Sequence, residues 1–250
     1  MRCDFEVNGL PVAATFDGAA VDGILRPLIG RLLSMRAHID RRLVAFLAGP
    51  PGCGKSTLSL LLKRLADEAA PGRLQALAMD GFHHAQSHIA AHTVMRDGAE
   101  VPMAKVKGSP ESFDAPRLAA AIGALSTQPA RPLRWPAYDR RLHDVVEGAM
   151  EVTGDIALVE GNWLLLDQPG FSALRVLCDY SIAIYADETL LKDRLIGRKR
   201  LGGADAAQAE AHYQFCDRPN ILRYAAHTRP GDLNLAMTGD GAYRVISRAT

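Results

Sequence analysis

The sequence predicts a three-layer α/β/α fold around a mostly parallel sheet, and three observations predict it. LVAFLA (Leu43 to Ala48) is a continuous apolar run ending in a glycine-rich turn, as a central strand buried on both faces requires. From Ser56 onward, Leu58, Leu61, Leu62, Leu65 and Ala66 fall on one stripe, which gives an amphipathic helix lying on that sheet. Further strand-like runs at Leu74 to Met79, Ile156 to Glu160, Ser181 to Tyr185 and Asn234 to Met237 alternate with helical stretches. That alternation marks parallel strands joined by right-handed crossovers.

Taken in order, CDFEV and VAATF are short β-prone runs on either side of Asn8-Gly9-Leu10-Pro11, and an Asn-Gly turn is a hairpin signal. Helical spacing of Ile24, Leu25, Leu28, Ile29, Leu32 and Leu33 predicts a helix over 21–39. The stretch from Phe82 to Arg140, rich in histidine and proline, reads as a helical, loop-rich insertion over the C-terminal edge of the sheet. Ligands bind at that edge in open α/β folds. No internal repeat or low-complexity linker divides the chain. The expected organisation is therefore one domain over 1–250: hairpin and helix to about 40, insertion over 82–140, and a basic helical segment over 187–220. A chain of 250 residues can bury roughly three quarters of its extended surface in one such unit.

Composition narrows the function. With 29 Lys+Arg against 28 Asp+Glu the net charge is +1, which argues against a nucleic-acid partner, whose phosphates call for a basic excess or stripe. Hydrophobic residues make up 48% and charged residues 23%, as in ordinary globular proteins. The four cysteines are scattered without a CxxC pair, so neither a disulfide framework nor a zinc knuckle is expected. Asp4 and Glu6 interrupt any signal-like stretch, and no apolar run approaches the roughly 18 residues needed to span a bilayer. The expectation is a protein of the reducing cytoplasm with no membrane partner.

GPPGCGKS (Gly49, Pro50, Pro51, Gly52, Cys53, Gly54, Lys55, Ser56) matches GxxxxGK[ST] between a predicted strand and a predicted helix. Glycines let backbone N–H groups close around the β- and γ-phosphates, and the helix adds its positive end. Lys55 bridges phosphate oxygens, the Ser56 hydroxyl ligates Mg²⁺, and Thr57 is a candidate for the α-phosphate. The chemistry calls for ATP and Mg²⁺ as cofactors. A helix N-terminus lowers a thiol pKa, so Cys53 is either a redox-sensitive thiol or, more simply, an occupant of a variable motif position.

The phosphate loop is shared by many proteins, and four further motifs discriminate among them: AMDGFHH (Ala78 to His84), KGSPESFD (Lys107 to Asp114), WPAYDRRLHD (Trp135 to Asp144) and LVEGNWLLL (Leu158 to Leu166). In this order they resemble the P-loop kinase group of bacterial pantothenate kinase, uridine kinase and phosphoribulokinase, over about 43–235. The combination of VEGNWLLLD with the N-terminal hairpin and helix is similar to a bacterial subgroup labelled nucleoside/nucleotide kinase or fructokinase-like. The resemblance implies phosphoryl transfer from ATP to a hydroxyl of a small acceptor. Asp80 then stands where the group carries the base that takes the acceptor proton, the other reading being a Mg²⁺-shell or turn aspartate. Glu160 takes the Walker-B-like part, holding Mg²⁺ or orienting substrate. PAYDRRLH departs from the PxYxHxxY of pantothenate kinase and fits the PxYDxxxH of uridine kinase better, giving Tyr138, Arg140 and His143 as acceptor contacts. Arg140 and Arg141 have surface charge as the alternative.

His83, directly after DGF, joins the acceptor contacts. His84, His88 and His92 fall at helical spacing, with pocket rim or solvent as their expected place rather than a metal site. LLKDRLIGRKRLGG (Leu190 to Gly203) resembles the lid, with Arg198 and then Arg194 as candidates to neutralise charge on the γ-phosphoryl group. The resemblance implies an adenine or acceptor contact for Asn220, the alternative being a first-turn helix residue after Pro219. Relatives often form homodimers, which leaves monomer and homodimer open. The competing class is a P-loop ATPase acting as a nucleotide-dependent switch.

Overall fold

The computed structural model describes residues 1–7, 10–96, 98–127, 132–239 and 241–248. The Asn8-Gly9 turn lies outside them, but its flanking strands β1 (Arg2–Val7) and β2 (Leu10–Thr15) pair antiparallel as expected. The helical segment after them runs from Gly18 through a π-helical turn (Val21–Leu25) into α1 (Arg26–Ala37), which buries Leu28, Ile29 and Leu32.

Six strands form the central sheet: β3 (Leu43–Ala48), β4 (Leu74–Ala78), β9 (Ile156–Gly161), β10 (Tyr180–Ala186), β11 (Leu233–Gly239) and β12 (Ala242–Arg248). Their order is β12-β11-β10-β3-β9-β4, parallel throughout except for β12, an antiparallel edge strand that the sequence reading did not include. All six residues of β3 are fully buried, and alternation divides them between two cores. Leu43, Ala45 and Leu47 pack with the Leu58, Leu61, Leu62 and Leu65 stripe of α2 (Lys55–Ala69). Val44, Phe46 and Ala48 face the other way, onto α4 (Ala115–Thr127) and the Trp163–Leu166 segment. Helices thus cover both faces of a sheet whose middle strand carries the phosphate motif.

The range 82–140 contains more β structure than expected. After the short helix α3 (Gln86–Ala91) come the hairpin of β5 (Thr93–Arg96) and β6 (Ala99–Pro102) and, past α4, β7 (Leu133–Asp139), which pairs with β8 (Asp144–Val152). Prolines suggested loops here, but Pro102 ends a strand and Pro136 sits at a register shift, where a missing N–H costs no ladder bond. After β10, the basic segment forms α5 (Glu188–Leu201), capped by the Asp187 carboxylate accepting from Thr189 N. It is followed by α6 (Ala206–His212), a π-helical turn (Tyr213–Asp217) and α7 (Arg218–His227).

Candidate active site

The chain leaves β3, turns through Gly49–Gly54 and enters α2 at Lys55. Gly52 (φ 82°) and Gly54 (φ 79°) lie in the left-handed region, so the loop's course demands glycine. Gly54 caps α2 without a side-chain hydrogen bond, leaving the first-turn N–H groups for an anion. Thr57 Oγ1 donates to Gly54 O at 2.8 Å, which closes the turn. A methyl group on Gly49 would stand 2.5 Å from Cys53 Sγ, so the bare glycine makes room for the thiol beneath the loop. Cys53 is fully buried, and burial raises its pKa despite Lys55 nearby. It is a packed thiol, and Pro50 and Pro51 are buried beside it.

Ser56 Oγ donates to Glu160 Oε1 at 2.8 Å. Parallel register sets this up, because Glu160 pairs with Leu47 on one side and Ala78 on the other, two residues before Asp80. Asp80 occupies the 3₁₀ turn Met79–Phe82 at the end of β4. Glu160 is buried, and desolvation raises its pKa to about 7; Lys55 and the Ser56 hydrogen bond oppose the rise, while Asp80 adds to it. A hydroxyl and a carboxylate with a second carboxylate beside them form an oxygen donor set of the kind Mg²⁺ takes. Ser56 and Glu160 therefore fit the ion, and the loop fits a nucleotide phosphate.

Helix α5 closes the other side. Buried Leu195 packs where a Gly52 side chain would stand, and Arg194 Nε donates to Gly52 O at 2.8 Å. Arg198 has exposed surface, yet enough protein surrounds its guanidinium for desolvation to lower its pKa. Arg140 and Arg194 push the same way, and Asp217 and Asp80 oppose them. The structure thus brings Arg140, Arg194, Arg198 and Asp80 into one electrostatic neighbourhood.

Tyr138, Arg140 and His143, expected from the sequence as acceptor contacts, come from the β7–β8 hairpin, which docks on the end of β4. Trp135 Nε1 donates to Ala78 O at 2.8 Å, and a Gly81 side chain would strike Pro136 O at 2.2 Å. Tyr138, in β7, is held by Lys107, whose Nζ donates to its hydroxyl at 3.0 Å and lies 4.6 Å from its ring centre. The same ammonium donates to Gln86 Oε1 (2.9 Å) and His143 O (3.4 Å). Lys107 opens the KGSPESFD motif but drew no role from the sequence. Its partners stand 21, 31 and 36 residues away, beyond any local signal. His143 adopts a positive φ of 54° and, like Arg140, is exposed.

His83 lies behind this surface. It is 8% exposed, its ring is 3.9 Å from that of Phe113, and its Nδ1 bonds Asp80 O at 2.8 Å. Burial lowers its pKa. His84, His88 and His92 do not share one helix face as expected, because α3 spans only 86–91; their rings nevertheless stack at 4.2 and 3.8 Å. Asn220 is a buried first-turn residue of α7. With Ser109, Glu111 and Arg223 it lines a cavity of about 340 Å³. A cavity of about 400 Å³ beside Ser34, His38 and Asp179 adjoins Leu43, at the opposite end of β3 from the phosphate loop.

A phosphate loop after the central parallel strand β3, with Glu160 near the end of the adjacent β9 and Asp80 in the turn after β4, is the arrangement of a P-loop kinase. The Escherichia coli (strain K12) protein YggC, described as uncharacterized, is 38% identical over 250 residues, covering 99% of this chain and 100% of its own. The chain belongs to the YggC family. A "putative uridine kinase" of Schizosaccharomyces pombe is 28% identical over 198 residues, 78% of this chain and 81% of that protein. The crystal structure of a "putative fructose transport system kinase" from Silicibacter sp. TM1040 superposes with a TM-score of 0.74 at 30% identity, covering 84% of this chain and 98% of that one. No protein-family model matches the chain. Among the described residues no helix is long and apolar enough to cross a membrane.

Proposed function

We propose that the protein transfers the γ-phosphoryl group of ATP to a hydroxyl of a small metabolite, a nucleoside, sugar or pantothenate-like alcohol. The observation that carries this reading is the Ser56–Glu160 contact at 2.8 Å with Lys55 and Asp80 as the charged neighbours of Glu160. Phosphoryl transfer asks a protein mainly for positioning and charge stabilisation. Segment 82–140 acts as the acceptor insertion and 187–220 as the lid. The names of the relatives support a hydroxyl acceptor of this size and leave its identity to experiment.

In this reading the loop's N–H groups and Lys55 bind the phosphates, and Arg198, with Arg194 beside it, offsets the charge that develops on the transferring group. Mg²⁺ held by Ser56 and Glu160 would supply further charge neutralisation on the phosphate oxygens. Asp80 accepts the proton of the acceptor hydroxyl. Tyr138, Arg140 and His143 select the acceptor; Lys107 holds Tyr138 in place, and buried His83 fixes the backbone of Asp80.

The test is acceptor-dependent ADP formation. Lys55→Ala and Asp80→Asn each remove it while circular dichroism and Tm stay close to those of the parent. For Asp80→Asn, losing the general base alone accounts for a fall of roughly 10²- to 10⁴-fold. Full activity in Asp80→Asn would rule out the assigned base.

A further inference from the structure

The lid segment ends in a cluster that the kinase reading does not use. His212, Cys216 and Asp217 each offer one ligand atom, and the three atoms lie within 4.8 Å of one another. The backbone explains the convergence. In an α-helix, residues five apart point about 140° away from each other. Here Tyr213–Asp217 is π-helical, with Arg218 N bonded to Tyr213 O, and the wider turn brings His212 and Asp217 onto one side: His212 Nε2 stands 3.7 Å from Asp217 Oδ2. Such π-bulges inside helices occur frequently at functional sites.

We infer that His212, Cys216 and Asp217 form a binding site for a thiophilic divalent cation of the zinc class, separate from the Mg²⁺ donors at the phosphate loop. A tetrahedral ion with ordinary Zn–N, Zn–O and Zn–S bonds holds its ligand atoms roughly 3.3–3.8 Å apart, so the trio needs only small side-chain rotations. One imidazole, one thiolate and one carboxylate form a mixed N/S/O set that suits Zn²⁺ and repels Mg²⁺, which takes oxygen alone. Two anionic ligands on a dication make a neutral complex. The other charged neighbours, Arg96, Arg198 and Lys199, favour the thiolate and the carboxylate but oppose a bare cation, so the two anionic ligands must offset the ion's charge within the site.

Cys216 is buried, and its thiol donates to Lys107 O at 3.4 Å; burial pushes its pKa up to about 11. Cation binding therefore displaces the thiol proton, and affinity rises with pH. The displaced proton is the one that Cys216 gives to Lys107 O, so binding releases that link between the segment after α5 and the loop carrying Lys107. It does not depend on the kinase reading.

Cobalt(II), a spectroscopic substitute for zinc, tests the site on the intact, chelator-treated protein. The expected result is one equivalent bound per chain, with a thiolate-to-cobalt charge-transfer absorption that survives millimolar Mg²⁺. Cys216→Ser abolishes the absorption, whereas Cys178→Ser retains it. His212→Gln, at a half-exposed position where folding is not at stake, weakens binding tenfold or more. No stoichiometric absorption in the parent, or one unchanged in His212→Gln, overturns the proposal and leaves a His–Asp ion pair only.

Discussion

Glu160 is the residue where stability and function pull apart. Its folded pKa of about 7 lies above the ordinary carboxylate value because burial disfavours its charge. A raised acid pKa contributes stability fully below the unfolded value of about 4.5, and that contribution is lost as pH rises through about 7. Glu160→Gln keeps an oxygen for Ser56 and removes the charge. At pH 8 the nucleotide-free variant should be more stable than the parent by on the order of 3 kcal/mol, a Tm gain of roughly 5–10 °C. The gap should close by about pH 4.5; a gap independent of pH would refute the buried charge. Under the proposed mechanism activity should fall, since a neutral amide is a poorer Mg²⁺ ligand than a carboxylate. Lys107 supports a second prediction at this scale. Lys107→Met frees Tyr138 and should raise the acceptor KM about tenfold with little change in the KM for ATP, consistent with about 1.4 kcal/mol of lost positioning. Equal changes in both constants would place Lys107 in general folding instead.

Among the elements, the β7–β8 hairpin decides how Tyr138, Arg140 and His143 meet the sheet. Gly81 lets Pro136 approach the end of β4, and a methyl group there meets backbone, which cannot swing aside. Gly81→Ala should cost about 1–3 kcal/mol and shift the hairpin carrying Tyr138; denaturant unfolding reads the first effect and acceptor KM the second. An unchanged midpoint would show that the hairpin docks elsewhere. This scale also shows where sequence patterns suffice. β3 and the Leu58–Leu65 stripe of α2 could be read locally, because a doubly buried strand and a 3.6-residue period each mark the chain itself. The phosphate loop could be read for the same reason, its φ demands falling on Gly52 and Gly54. The β5–β6 and β7–β8 hairpins could not, because their prolines imitate loops and their pairing depends on neighbours. Lys107 and the π turn at Tyr213–Asp217 were hidden for a related reason, since both acquire meaning only from residues brought in by the fold.

Taken whole, the net charge of +1 conceals a polarised molecule. Arg140, Arg194 and Arg198 gather near Asp80 and Glu160 at one end of the sheet, while pairs such as Arg41–Asp179 and Arg175–Asp232 tie down cations elsewhere. This arrangement suits one nucleoside triphosphate and one small acceptor. Saturation with ATP and Mg²⁺ at a hundredfold excess over Kd should raise Tm by roughly 5–10 °C, and Lys55→Ala should lose most of that gain. The most direct measurement is ADP release from ATP and Mg²⁺, with and without a panel of nucleosides, sugars, polyols and pantothenate. A phosphotransferase predicts slow release alone, a large acceleration by one acceptor class with phosphate recovered on that acceptor, and loss of the acceleration in Asp80→Asn. Release indifferent to every small alcohol, unchanged in Asp80→Asn and altered only by a protein partner would contradict it and identify a nucleotide-driven switch.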